Sequence, residues 1–123
     1  MIVRLVSRSL VSGAVLLATM TPGVADNPFG TRSGFNLTNE DFQAIQAATA
    51  PFYSDDTVPL GTTRAWNNPK SGNSGTAKLV DRFEERGMPC RRIQHDIKVK
   101  RVPDPFHYVI DRCRTPDGTW KFL

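Results

Sequence analysis

Apolar and polar positions alternate through much of the second half of the chain, which is the pattern of half-buried β-strands. In the run CRRIQHDIKVK at 90–100, Ile93, His95, Ile97 and Val99 share one side, while Arg92, Gln94, Asp96 and Lys98 share the other. Similar short runs are TTRAW, TAKLVDRFEE, FHYVIDRCR and TWKFL. These runs predict four or five strands in a small antiparallel sheet, curled toward a sandwich or a partial barrel.

A different periodicity precedes the strands and predicts one short helix from about Asn39 to Ala50. Thr38 stands three residues before Asp41, the spacing of a capping box, in which a hydroxyl accepts from a first-turn amide. Pro51 disfavours helical backbone at the residue before it and marks an end or a kink. The predicted fold class is therefore α+β and mainly β. The apolar positions of the helix face are Phe42, Ile45 and Ala48 or Thr49.

Turn-forming residues separate the predicted strands. The run NNPKSGNSG at 67–75 follows Trp66, and it fits a hairpin connection in which Gly72 and Gly75 take conformations that other residues resist. The run PDG at 116–118 predicts a second hairpin turn, which would return the Trp120 strand against the Cys113 strand. Trp66 and Trp120 are then core or rim aromatics, and a role in stacking on a ligand is the alternative.

The first 25 residues have the features of an export signal. Arg4 and Arg8 give a positive start, an apolar run SLVSGAVLLATM follows, and GVA ends at Ala25 with the small residues that signal peptidase prefers. We expect cleavage before Asp26, a flexible leader at 26–36 and one domain at 37–123. A retained membrane anchor is the alternative, although the apolar run is shorter than the roughly 20 residues that span a bilayer. No Cys stands directly after this run, so we expect no lipoprotein anchor.

The length of the chain and its net charge limit the number of domains and the kinds of partner that we expect. Residues 26–123 suffice for one domain, and removal of Arg4 and Arg8 lowers the formal net charge from +4 to +2. Nucleic acid is not an expected partner, because export separates the protein from it and the chain carries no recognition motif. The expected location is the periplasm or the cell envelope, with no transmembrane segment after cleavage.

Two cysteines, Cys90 and Cys113, are the only ones in the chain. An even number in a small exported domain favours a disulfide, and this one would close a loop of about two dozen residues. The alternative is a zinc site in which the two sulfurs are joined by His95 and His107, although no close Cys-x-x-Cys pair is present.

Three motifs together resemble the C-terminal domain of the rickettsial 17 kDa surface antigen family. They are AWNNPKSGNSG, PCRR at 89–92 and RCRTPDGTW at 112–120, and the resemblance extends from about Leu37 to Leu123. Typical members of that family carry a lipobox cysteine and a glycine zipper, and this chain shows neither. The resemblance implies a non-lipidated, exported envelope protein without an established catalytic role, and it supplies no active-site residues.

Catalytic motifs are scarce in the remaining sequence. A Gly-x-Ser-x-Gly elbow, a phosphate-binding loop and a calcium loop are all missing, so we expect neither enzyme activity nor a cofactor. The candidate binding residues are Arg92, Lys98, Lys100, Trp66 and Trp120.

Two binding functions remain open at this point. In the favoured hypothesis the domain binds another envelope protein, as an accessory subunit. In the alternative, a basic strand face formed by Arg92, Lys98 and Lys100 binds an anionic envelope polymer or a lipid surface. Lysines on strands also serve simply to keep sheets soluble.

Overall fold

The computed structural model describes residues 37–123, so the predicted signal segment and leader lie outside the described residues. Within residues 37–123 one helix is followed by five strands, and this confirms the predicted fold class. The elements are α1 (Asn39–Ser54), β1 (Thr63–Asn68), β2 (Asn73–Glu85), β3 (Met88–Lys98), β4 (Phe106–Arg114) and β5 (Trp120–Phe122).

The five strands form a single antiparallel sheet in the order β1-β2-β3-β4-β5, so each strand pairs with its neighbours in sequence. Strands β1 and β5 are the two edges, and α1 packs across one face at β1 and β2. The expected curling toward a sandwich or a partial barrel is therefore corrected to an open sheet whose second layer is a helix. We call the face that carries α1 the helix face and the opposite one the outer face.

The start of α1 follows the capping box that the sequence predicts. The backbone N–H of Asp41 donates to Thr38 Oγ1 at 3.1 Å, and the backbone N–H of Thr38 donates to Asp41 Oδ2 at 2.9 Å. Both bonds satisfy amides that have no partner within the helix.

The end of α1 differs from the prediction, because the helix continues through Pro51 to Ser54. Proline removes the N–H that would bond the carbonyl of Ala47, and Ala47 lies on the exposed side of the helix where water can solvate that group. The extra turn buries Phe52 completely against Ala77 and Leu79. Burial of a phenylalanine contributes about 2–3 kcal/mol, enough to offset much of the proline penalty.

Side chains on the helix face form two apolar clusters under α1. Strand β3 supplies a residue to each of them, which confirms the alternation predicted for this strand: Ile93 and Ile97 are buried, whereas Lys98 is exposed. The first cluster contains Leu37, Phe42, Ile45, Ala48, Trp66 and Ile97, and the second contains Phe52, Ala77, Leu79 and Ile93.

The hairpin between β1 and β2 uses two glycines for two different reasons. Gly72 has φ 76, a left-handed conformation, as predicted. Gly75 is required for space, because a Cβ atom there would lie 2.5 Å from the carbonyl oxygen of Asp96 and 2.7 Å from Trp66 Nε1. Trp66 is 5% exposed and belongs to the core, so the hairpin packs its own tryptophan against its own strand.

A β-bulge between Leu79 and Asp81 shifts the register of β2 against β3. Beyond the bulge, Arg82 pairs with Arg91 and therefore lies on the helix face. The sequence pattern did not indicate this shift.

Within residues 37–123, α1 is neither long enough nor apolar enough to cross a bilayer.

Candidate functional site

Cys90 and Cys113 are joined by a disulfide between directly paired residues of β3 and β4, as predicted. The zinc alternative is incompatible with this arrangement, because the sulfurs are bonded to each other. In addition, His95 is buried on the helix face, whereas His107 is exposed on the outer face beside Asp96. Residues 37–123 contain no cluster of three or more His, Cys, Asp or Glu side chains that could hold a metal ion.

The three cations of the predicted basic strand face do not form one continuous strip. Arg92 donates two hydrogen bonds of 2.9 Å to the carboxylate of Asp111, so its charge is paired. Lys98 is exposed at the end of β3. Lys100 lies beyond that strand, which corrects the expectation that it shares the strand face, and its backbone N–H donates to Asn73 Oδ1 at 2.9 Å.

A buried carboxylate joins the helix start to the β1–β2 hairpin. Asp41 Oδ1 accepts from Asn68 Nδ2 at 2.7 Å and from Ser71 Oγ at 2.6 Å. Oδ2 accepts from Asn73 Nδ2 at 2.8 Å and from the backbone of Thr38 at 2.9 Å. The turn-rich run after Trp66 therefore serves as a set of donors for one acid, a role that the sequence analysis missed.

These four donors determine the charge state of Asp41. Burial alone would raise the pKa of this carboxyl, but the hydrogen bonds from Ser71, Asn73, Thr38 and Asn68 together hold the pKa below its ordinary value of 3.8. The acid therefore remains ionised at neutral pH, although within residues 37–123 it forms no ion pair with a cation.

Three arginines lie side by side across the helix face, in a row that we call the arginine row. Arg82 on β2 pairs with Arg91 on β3, and Arg91 pairs with Arg112 on β4. Like charges at directly opposite positions destabilise a sheet unless other groups compensate them.

The positive charges of two members of the arginine row are compensated by carbonyl and carboxylate oxygens at the end of α1 and in the segment after it. Arg82 Nη2 donates to the carbonyl oxygen of Val58 at 2.6 Å. Arg91 is 6% exposed; its Nε donates to the carbonyl oxygen of Phe52 at 3.1 Å, and its Nη2 donates to Asp56 Oδ1 at 2.6 Å. Cations are favourable at this end of a helix, where carbonyl groups lack partners.

The third member, Arg112, contacts aromatic rings, and its side chain donates to no acceptor within residues 37–123. Its guanidinium lies 4.3 Å from the ring of Phe122 and 5.7 Å from the ring of Tyr53. Arg114 lies two positions further along β4 and is 5.9 Å from the ring of Trp120. The two form no ion pair with any carboxylate of residues 37–123. We name this region the arginine–aromatic surface and define it as Tyr53, Arg112, Arg114, Trp120 and Phe122.

The rings of this surface also contact one another and the arginine row. Tyr53 and Trp120 have centroids 4.9 Å apart, and the guanidinium of Arg91 lies 5.2 Å from the Trp120 ring. Burial raises the pKa of the Tyr53 hydroxyl, while the charges of Arg112 and Arg91 oppose that rise. The Tyr53 side chain is therefore a neutral hydrogen-bonding group at neutral pH.

A depression of about 430 Å³ adjoins the arginine–aromatic surface at Arg114. It lies between the β2–β3 turn and the β4–β5 turn, and Met88, Pro89 and Pro116 give it apolar walls. The surface thus combines guanidinium groups, aromatic rings and a recess for one side chain, which is the composition typical of protein-binding sites.

Of the candidates from the sequence, the arginine–aromatic surface includes Trp120 but not Trp66, Arg92, Lys98 or Lys100. Tyr53 and Arg112 do not stand out in the sequence pattern, because their place in this surface depends on the register of the strands. A usable signal did exist: once Cys90 pairs with Cys113, antiparallel geometry places Arg91 directly opposite Arg112.

A family model described as 17 kDa outer membrane surface antigen matches residues 54–121, a range that includes β1 to β4 and the first two residues of β5. No curated protein and no solved structure shows significant similarity to the chain.

Proposed function

This chain belongs to the family of the 17 kDa outer membrane surface antigen, and from that premise we propose that it is an exported envelope protein that binds another protein and performs no catalysis. The family suggests an envelope location. The signal-like segment that ends at Ala25 supports export to the periplasm, with cleavage before Asp26.

The observation that carries the proposal is the pair of guanidinium groups on the arginine–aromatic surface. Arg112 and Arg114 lie over exposed or half-buried rings and lack a carboxylate partner within residues 37–123. Phe122, 40% exposed, is one of these rings. Arginine and aromatic residues dominate the energetics of protein interfaces, and here they are adjacent and accessible.

The outer face offers a weaker case for binding. Arg92 forms an ion pair with Asp111, and Asp96 is in hydrogen-bond contact with His107, so the charged side chains near the middle of that face already have partners. Exposed ion pairs of this kind contribute little to stability and present a mixed charge to a partner.

Site-specific photo-crosslinking in living cells tests the proposal. A photoreactive residue replaces Phe122 in one variant and Val109 in the other; Val109 is 61% exposed and lies on the outer face of β4, which makes it a matched control. We expect a discrete crosslinked protein from position 122 and none from position 109. The yield should fall in an Arg112→Gln/Arg114→Gln background whose thermal unfolding is unchanged. Equal products at both positions, or a yield that is independent of the two arginines, would contradict the proposal.

A further inference from the structure

The arginine row leaves one end of the helix face with an excess of positive charge. The charges of Arg82 and Arg91 are compensated by the carbonyl groups of Val58 and Phe52 and by Asp56. Arg112 lies over the ring of Phe122, and within residues 37–123 neither Arg112 nor Arg114, on the same face, forms an ion pair. An anionic group bound here would reduce the repulsion between the neighbouring arginines, and it would itself be attracted to their guanidinium groups.

The geometry of the two guanidinium groups specifies the form of that anion. Arg112 and Arg114 are at positions i and i+2 of β4, so their side chains leave the strand on the same face about 7 Å apart. Residues i and i+2 of any extended peptide have the same spacing. A planar guanidinium stacked on a ring also keeps the N–H groups at its edge free to bind a carboxylate with two parallel bonds.

The surroundings favour a peptide over a membrane or a charged polymer. Lys121, the cation of β5, pairs with Cys113 and so lies on the outer face, which leaves only a narrow positive region on the helix face. Asp56 beside Arg91 would repel a continuous anionic layer. Phe122 and the recess beside Arg114 offer apolar contacts that suit intervening side chains of a peptide.

We infer that the arginine–aromatic surface binds an extended acidic segment of a partner protein, with Asp or Glu at alternate positions that meet Arg112 and Arg114. This inference rests on the proposed function and names the chemistry of its partner. The rings fix the guanidinium planes, the two carboxylates set the register, and the residue next to them fills the recess at Arg114.

Binding of synthetic peptides to the full exported protein tests the inference by fluorescence anisotropy. The probe is a ten-residue peptide with Glu at alternate positions and Thr between them. One control replaces each Glu by Gln, and another keeps the same composition but places the Glu residues in adjacent pairs separated by two Thr, so that no two Glu lie at positions i and i+2. We expect the alternating peptide to bind about tenfold or more tightly than either control, and to weaken as salt rises. Equal binding of the three peptides, or binding of none, would overturn the inference.

Variants of the protein give an independent readout. Arg112→Gln/Arg114→Gln should weaken binding of the alternating peptide about tenfold or more, whereas Lys98→Gln/Lys121→Gln removes the same charge from the other side of the sheet and should leave it unchanged. Vesicles of phosphatidylglycerol and phosphatidylcholine serve as the lipid probe. Vesicle binding that depends on Arg112 and Arg114 in the absence of peptide binding would replace the acidic segment by a lipid surface.

The two proposals fail in different ways. If crosslinking from position 122 depends on Arg112 and Arg114 while the alternating peptide binds no better than its Gln control, protein binding stands and the acidic segment is wrong. If the peptide binds as expected but cells yield no crosslink from position 122, the surface has the stated chemistry and the proposed function is wrong.

Discussion

Asp41 is a buried carboxylate that is stabilised by dipoles instead of a cation. Its two oxygens accept from Thr38, Asn68, Ser71 and Asn73, and these donors come from the helix cap and from the hairpin that begins about thirty residues later in the chain. Hydrogen bonds to a charged acceptor are stronger than neutral ones, and the loss of such an acceptor leaves several buried donors unsatisfied.

Asp41→Asn should therefore destabilise the domain by about 2–4 kcal/mol, because the new amide presents N–H groups to donors that need an acceptor. Urea unfolding followed by tryptophan fluorescence measures the free energy of unfolding. Asp104→Asn is the control, since Asp104 is exposed and should tolerate the change. A loss for Asp41→Asn no larger than that of the control would contradict the structural role.

Some contacts of the candidate site follow from local sequence patterns, and others do not. The capping box predicts that Asp41 faces the start of α1, because that contact spans only three residues. Its bonds to Asn68 and Asn73 depend on how the helix lies against the hairpin, which no local pattern encodes. The same holds for Arg112, whose surroundings follow from the register of β4 against both of its neighbours.

Among the elements, the paired strands β3 and β4 are joined by the disulfide. The residue pairs that follow the disulfide along these strands differ between the two faces of the sheet. On the outer face, Arg92 is bonded to Asp111; on the helix face, Arg91 lies opposite Arg112. The covalent bond therefore holds together a strand pair that includes one repulsive contact. A sequence separation of 23 between the cysteines means that the bond restricts a substantial loop in the unfolded chain.

Replacement of both cysteines, Cys90→Ala/Cys113→Ala, should lower the free energy of unfolding by about 3 kcal/mol, mainly through the greater entropy of the unfolded chain. Denaturant titration of this variant, beside the oxidised and reduced wild-type protein, measures the effect. Intact mass with and without reductant verifies each redox state. An oxidised and a reduced protein of equal stability would show that the bond does not constrain the fold.

Element boundaries were predictable where local signals act alone. Thr38 and Asp41 set the start of α1, and the turn residues at 116–118 set the β4–β5 hairpin. The end of α1 was predicted wrongly, because burial of Phe52 outweighs the local effect of Pro51. The bulge after Leu79 also escaped prediction, since a one-residue shift leaves the alternation on either side intact.

At the scale of the whole molecule, acid should destabilise the fold in two steps. Burial, together with the nearby charge of Arg112, lowers the pKa of His95 to about 4 from an ordinary value of 6.5. Between these values the unfolded chain binds the proton and the folded chain does not, so the stabilisation is complete above pH 6.5 and is lost as pH falls toward 4. Asp41 adds a second loss below its ordinary pKa of 3.8.

The free energy of unfolding of the wild-type protein should thus fall by on the order of 3 kcal/mol in the first step, as the pH is lowered from 6.5 toward 4. Urea unfolding at a series of pH values measures it. In His95→Gln the slope between pH 6.5 and 4 should disappear, while the further loss below 3.8 remains. A variant that keeps the full slope would show that another group causes it.

Because every strand pairs only with its neighbours in sequence, the sheet is a succession of hairpins with short connections. A chain that emerges from its N-terminal end can add each strand to the one before it without waiting for distant segments. Helix α1 is the exception: it emerges first, yet the donors for Asp41 and the strands that cover Phe52 come later. The helix therefore completes its packing only after the first hairpins have formed. The part of the domain that is synthesised first is the last to gain its stabilising tertiary contacts.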